Sequence, residues 1–220
     1  MRKTELIRII DHTNLKPDAK DNDIRRLCEE ATEFRFKAAV VNPTNVKLAA
    51  SLLHGSGVAV CSVVGFPLGA NTALVKAFEA EQALRNGASE IDMVANIGAL
   101  KSGRLDDVRL DIESVAAVVK KKDNILKVII EAPLLTDDEK VKICSLAKEI
   151  EVDFVKSCTG FGGSAQIEDI QLMRKVVGDA IGVKAAGGIR SYSDAVAMVR
   201  AGASRIGTSS GTRIIEEAPE

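Results

Sequence analysis

The chain has no tryptophan and one tyrosine, and aromatic residues make up only 3% of its 220 residues. Proteins that bind single strands of nucleic acid stack bases on aromatic side chains, so that class is not expected here. Charge of neither sign dominates. Thirty Lys and Arg face thirty-one Asp and Glu, leaving a net charge of -1. A nucleic-acid footprint needs a basic excess on one face, and none is indicated. The longest basic run, Lys120-Lys121-Lys122, reads as a solvated helix end. Histidine occurs twice, as His12 and His54. The four cysteines, Cys28, Cys61, Cys144 and Cys158, form no CxxC pair. A zinc site has little to build on, so neither metal nor cofactor is expected. No apolar run approaches the ~20 residues needed to cross a bilayer. Polar residues begin at Arg2, which leaves no room for a signal-peptide core. These absences point to a soluble, reduced, cytoplasmic chain without nucleic-acid or membrane partners.

Apolar residues, by contrast, are plentiful at 46%. Short β-branched runs recur at residues 8–11, 38–41, 59–64, 90–94, 126–131, 154–157, 182–185 and 205–207. Several are almost continuously apolar, as parallel strands buried on both faces are. The intervals read as helices. Val108, Ile112, Val115 and Val119 recur at helical spacing. Thr136 with Glu139, and Ser191 with Asp194, have the spacing of capping boxes. Gly87 and Gly202 follow helical stretches where a left-handed stop is wanted. No linker-like segment divides the chain, so residues 1–220 are expected to form one domain. Alternating strands and helices predict an α/β fold, a single (β/α)8 TIM barrel. The alternative, a doubly wound open sheet, would normally carry GxGxxG after its first strand, and that pattern is missing.

In such a barrel the C-terminal strand ends share one mouth. Here those ends are Asp11, Asn42, Gly65, Asp92, Glu131, Lys156, Lys184 and Gly207. Lys156 and Lys184 fall on neighbouring strands, about 4.8 Å apart. Two ammonium groups that close repel, and one loses its proton more readily. A neutral amine attacks a carbonyl carbon and forms a Schiff base. Paired or snorkelling lysines are the plainer alternative. Asp92 is placed to relay protons, to hold Lys184, or both. Two small-residue loops, Gly187-Gly188 and Ser209-Ser210, follow the last two strands, where barrels often bind phosphate. Thr159-Gly160 offers a further donor. Cys158 reads as a plain small residue, Cys61 and Cys144 as core, and His12 as a structural hydrogen-bonding group.

The order and content of these segments resemble one family. Asp11-His12-Thr13, the Val63–Gly69 stretch, Glu90-Ile91-Asp92-Met93-Val94, Phe154-Val155-Lys156, Thr159-Gly160-Phe161-Gly162, the Val183–Arg190 stretch and the Gly202–Gly211 stretch are similar to the deoxyribose-phosphate aldolases along nearly the whole chain. The resemblance implies a class I aldolase, independent of metal. It would reversibly cleave 2-deoxy-D-ribose 5-phosphate to acetaldehyde and D-glyceraldehyde 3-phosphate. By motif, Lys156 would be the Schiff-base lysine, Lys184 the neighbour that lowers its pKa, and Asp92 the proton relay. Asp11 and Thr159 would line the substrate pocket, and Gly187, Gly188, Ser209 and Ser210 would hold the phosphate. A homo-oligomer is implied as well. The chain departs from the family at Val40, where many members carry Cys, and at Ala132-Pro133, where Thr is commoner. Some members end in a tyrosine, whereas the single tyrosine here is Tyr192. Competing readings are another Schiff-base lyase, a sugar-phosphate isomerase or epimerase, and a non-catalytic sugar-phosphate binder.

Overall fold

The eight apolar runs become eight parallel strands that close on themselves in sequence order, β1 to β8, with β8 paired to β1. They are β1 (Ile10–Asn14), β2 (Ala38–Val41), β3 (Ala59–Val64), β4 (Glu90–Val94), β5 (Ile125–Ile129), β6 (Phe154–Lys156), β7 (Gly182–Ala186) and β8 (Arg205–Thr208). This computed structural model describes residues 1–122 and 124–220. Ten helices occur among the described residues. They are α1 (Lys3–Leu6), α2 (Asp21–Glu33), α3 (Val46–Leu52), α4 (Ala73–Arg85), α5 (Ile97–Lys101), α6 (Leu105–Val119), α7 (Asp137–Glu149), α8 (Ile167–Val177), α9 (Tyr192–Arg200) and α10 (Gly211–Glu216). The expected single (β/α)8 barrel is the observed architecture. None of the described helices is long and apolar enough to cross a membrane.

Helix signals read from the sequence fall where expected. Val108, Ile112, Val115 and Val119 are fully buried along one face of α6. Thr136 and Ser191 accept from the amides of Glu139 and Asp194, and both boxes are complete. Gly87 and Gly202 have φ of +107° and +116°, just past α4 and α9. Lys120 and Lys121 are exposed in the 3-10 turn that ends α6.

β2, β3 and β4 keep the expected bounds, β6, β7 and β8 differ by one residue at their C-terminal ends, and β1 and β5 differ by more. β1 starts at Ile10 rather than at residue 8, because Ile7–Ile9 forms a 3-10 turn. It continues through His12, Thr13 and Asn14, which pair with Ala39, Val40 and Val41 of β2. Neighbouring strands override the polar composition of Asp11–Asn14. β5 ends at Ile129 rather than at residue 131, and Glu131 turns left-handed with φ +50°.

Strand side chains alternate between two environments. Outward positions such as Ile10, Ile91, Met93, Leu126, Val128, Val155, Val183 and Ile206 join the helices in one large apolar core. Inward positions on β2 and β3 form a second, smaller cluster of Ala38, Val40, Cys61 and Val63, with Leu15. Across the barrel from them, the inward positions are charged.

Candidate active site

Seven charged side chains fill that part of the interior: Asp11, Glu90, Asp92, Lys127, Lys156, Lys184 and Arg205. None is more than 4% exposed. Register brings them together, with Asp92 opposite Lys127, Lys156 opposite Lys184, and Lys184 opposite Arg205. Buried charges persist only when paired, and here the pairing is continuous.

Six of the seven form a closed ring of alternating sign. Lys127 Nζ donates to Asp92 Oδ1 at 2.8 Å and lies 2.6 Å from Glu90 Oε2. Arg205 Nη2 donates to the same Glu90 oxygen at 2.7 Å, and its Nε donates to Asp11 Oδ1 at 2.8 Å. Lys184 Nζ lies 2.5 Å from Asp11 Oδ2, an ionic contact without hydrogen-bond alignment. It donates to Asp92 Oδ2 at 2.7 Å, which closes the ring. Lys156 Nζ hangs from the ring, donating to that same Asp92 Oδ2 at 2.9 Å. Phe154 forms part of the floor, its ring centroid 5.6 Å from the Arg205 guanidinium carbon. Gly207 makes room, since a Cβ there would fall 2.9 Å from Ala186 Cβ and 3.1 Å from Lys184 Cε.

The three lysines differ electrostatically. Burial pulls the Lys156 pKa below the ordinary lysine value; Asp92 opposes this and Lys184 adds to it. Burial acts on Lys184 too, but Asp11 and Asp92 outweigh it and hold its pKa above the ordinary value. Burial is likewise outweighed at Lys127, chiefly by Asp92, and its pKa lies well above normal. Burial alone would raise the Asp92 pKa, yet the three lysines hold it well below the usual carboxylate range. Only Lys156 among these lysines is shifted toward the neutral amine. Repulsion from Lys184 contributes as the strand spacing suggests, but loss of water is the larger cause.

A cavity of about 400 Å³ opens above the ring, lined by Lys156, Thr159, Gly187, Gly188 and Ser209 among others. Lys156 is the one member of the charged cluster that lines it. Asp92 and Lys184 lie beneath and do not line the cavity; Asp92 bonds Lys156 directly, and Lys184 shares the same Asp92 oxygen. Asp11 is also beneath. Arg205 and Lys184 hold its carboxylate in the floor. Thr159 is 8% exposed; its amide donates to Glu131 Oε2 at 3.1 Å, and its Oγ1 accepts from Phe161 N at 3.1 Å.

Gly187 and Gly188 have φ of +97° and +77°, which L side chains rarely adopt. A Cβ on them would meet Cys158 Sγ at 2.6 Å and Ser164 Oγ at 2.7 Å. The two glycines therefore bring bare backbone to the cavity wall. Ser210 does not line the cavity, and its amide is already spent on Thr208 Oγ1 at 2.9 Å.

Cys158 is fully buried, donates to the Ala186 carbonyl at 2.8 Å, and has its pKa raised by burial. His12 lines the cavity, with Nε2 2.6 Å from Glu30 Oε2, and burial lowers its pKa. Cys144 lies in the core of α7, as expected. Cys61 is not in the outer core. It faces the barrel interior, 3.2 Å from Asp92 Oδ1, and burial raises its thiol pKa to about 12. Among the described residues, no group of three or more His, Cys, Asp and Glu side chains is arranged to hold a metal ion.

Sequence reasoning missed Lys127, Glu90 and Arg205. Lys127 passed as one member of an apolar run, and Glu90 and Arg205 as strand starts. The available signal was a charge at an inward position of an otherwise apolar parallel strand.

A family model described as "DeoC/LacD family aldolase" matches residues 6–216. The deoxyribose-phosphate aldolase of Thermococcus gammatolerans is 57% identical over 217 residues, covering 97% of this chain and 96% of that one. An aldolase designated QR15 superposes with a TM-score of 0.91 at 39% identity, covering 96% of this chain and 95% of the other. The deoxyribose phosphate aldolase of Aeropyrum pernix, described as tetrameric, superposes with a TM-score of 0.90 at 35% identity, covering 97% and 90%.

Proposed function

The chain belongs to the DeoC/LacD family of aldolases, and we propose that it cleaves 2-deoxy-D-ribose 5-phosphate reversibly to acetaldehyde and D-glyceraldehyde 3-phosphate through a Schiff base on Lys156. One observation carries the choice of lysine: Lys156 alone in the charged cluster both reaches the cavity and is shifted toward the neutral amine.

The Lys156 amine adds to the sugar's aldehyde carbon, and loss of water leaves an iminium ion. The iminium withdraws electrons from the adjacent carbon-carbon bond. That bond breaks as the neighbouring hydroxyl gives up its proton, and glyceraldehyde 3-phosphate leaves. The electron pair remains on the enzyme as an enamine. Protonation of the enamine carbon restores an iminium, and water releases acetaldehyde and the free amine.

Asp92 handles protons at one remove. It is fully buried and ionised, so it exchanges them through Lys156 or Lys184. Thr159, with its side chain at the wall, positions the sugar. Gly187, Gly188 and Ser209 surround the phosphate with backbone amides and a hydroxyl, and Ser210 has a lesser part, since its amide is already bonded. No step requires a metal or an organic cofactor. The protein acts in the cytoplasm on small phosphorylated sugars and aldehydes, without nucleic-acid or membrane partners, and works as a homo-oligomer.

The test is borohydride reduction in the presence of deoxyribose 5-phosphate, followed by peptide mass spectrometry. A two-carbon adduct on Lys156 is expected. Turnover with no adduct would favour an isomerase or epimerase, and an adduct on Lys184 would reverse the lysine roles. Lys156→Arg is expected to abolish turnover, because a guanidinium stays protonated.

A further inference from the structure

The cluster is unbalanced by one charge: four cations (Lys127, Lys156, Lys184, Arg205) face three carboxylates (Asp11, Glu90, Asp92). An uncompensated buried charge is costly, and the usual relief is loss or gain of a proton. Arginine does not deprotonate. Lys127 and Lys184 each touch two carboxylates, whereas Lys156 touches one carboxylate oxygen, already shared with Lys184. The proton is cheapest to lose at Lys156. We propose that Glu90 and Arg205, on the barrel floor and out of contact with the cavity, are positioning residues whose charges set the ionisation of Lys156 through the ring. The proposal rests on the reading above, in which Lys156 must be neutral to attack.

The route is traceable on both sides. Glu90 holds Lys127, which competes with Lys156 for Asp92. Arg205 holds Asp11, which competes with Asp92 for Lys184. Other titratable groups lie outside this circuit. Cys61 faces Asp92 and Lys127 from β3 and stays a thiol. Cys158 donates to the Ala186 carbonyl, Glu131 accepts from the Thr159 amide, and among the described residues neither makes an ion pair with the cluster. His12 is bound to Glu30, and Lys16, Asp23, Arg26 and Arg190 stand at the mouth.

Opposite signs follow for two neighbouring residues. Glu90→Gln leaves four cations over two carboxylates, so Lys156 sheds its proton more readily and the acid limb of kcat/KM moves to lower pH. Arg205→Gln leaves three over three, Lys156 keeps its proton, and the limb moves to higher pH. A unit charge about 10 Å away, at an effective dielectric constant of about 20, moves a pKa by roughly one unit. Displacements of that order are expected. Arg205→Lys keeps the count and leaves the limb in place. The double variant Glu90→Gln/Arg205→Gln restores the excess of one and returns the limb to the wild-type position.

The experiment measures kcat/KM against pH, and in parallel the pH dependence of borohydride trapping of Lys156 with acetaldehyde. A merely structural role would lower activity without moving these limbs in opposite directions. Shifts of the same sign, or none, overturn the proposal. If the single variants do not fold, the double variant decides: a limb at the wild-type pH supports the charge count, and a displaced limb refutes it. Wild-type protein that forms no Lys156 adduct would sink the Schiff-base reading itself, a result separate from unmoved limbs in a protein that does.

Discussion

Lys156 stands opposite Lys184 in the register of β6 against β7, and the two ammonium groups end on one oxygen of Asp92, at 2.9 and 2.7 Å. A single carboxylate oxygen cannot fully neutralise both. Lys184 has Asp11 as a second partner and Lys156 has none of that kind, so of the two lysines one is held as a cation and the other is shifted toward the neutral amine.

Lys184→Leu is expected to leave Asp92 Oδ2 to Lys156 alone and to remove the repulsion between them. Both changes raise the Lys156 pKa. The acid limb of the pH-rate profile should move to higher pH, and turnover should fall ~10²–10⁴-fold, the usual share of a proton-transfer group. A profile identical to wild type would show that Lys184 does not tune its neighbour.

Asp92→Asn is expected to cost stability as well as turnover. Three buried lysines lose their common partner, and breaking a buried pair typically costs ~3–5 kcal/mol. The midpoint of urea unfolding at neutral pH should drop accordingly. The Asp92 pKa is depressed on folding, so its stabilising contribution is complete above the unfolded value of ~3.9 and is lost progressively as pH falls from there through the lower folded value. The difference in unfolding midpoint between wild type and Asp92→Asn should therefore shrink as the pH is lowered below that unfolded value. An unfolding midpoint unmoved by Asp92→Asn at neutral pH would contradict the ring's structural role.

Activity is expected to survive EDTA. Among the described residues, the acidic, cysteine and histidine side chains do not converge on a metal position, and the interior carboxylates are occupied by lysine and arginine. Inactivation by chelator that is reversed by a divalent metal would replace the lysine mechanism with a metal-dependent one.

The phosphate assignment is best tested at Ser209. Gly188→Asp would confuse charge with strain, since φ is +77° and the new Cβ would fall 2.7 Å from Ser164 Oγ. Ser209 is exposed at the cavity, so Ser209→Asp adds a like charge without that clash. Remote binding energy can serve to orient the reacting end, so both KM and kcat should worsen for deoxyribose 5-phosphate. Unphosphorylated deoxyribose should lose far less. Equal losses on both substrates would remove Ser209 from the phosphate site.

The barrel was legible because its strands are short apolar runs at regular intervals, and Thr136, Ser191, Gly87 and Gly202 mark helix ends by local chemistry. Lys156, Lys184 and Asp92 were legible because a charge at the end of an apolar strand stands out. Local pattern failed where neighbours decide. Asp11–Asn14 looks like a turn and is strand because β2 and β8 flank it on both sides. Lys127, Glu90 and Arg205 were hidden because both faces of a parallel barrel strand are buried, so burial alone does not say which side chains point inward. Only the cross-strand register brings Arg205 to Asp11 and Glu90.

The ring joins side chains as far as 194 positions apart, from Asp11 on the first strand to Arg205 on the last. A growing or truncated chain that lacks β8 has no Arg205 to hold Asp11, and a barrel opened at the β1–β8 seam admits water to the whole cluster. In water an ordinary lysine has a pKa of ~10.4 and is almost wholly protonated at neutral pH. On the proposed Schiff-base mechanism, reactivity toward aldehydes is therefore acquired last. It belongs to the finished circle of strands, and an unfinished or unfolding copy carries no amine primed to capture stray carbonyl compounds.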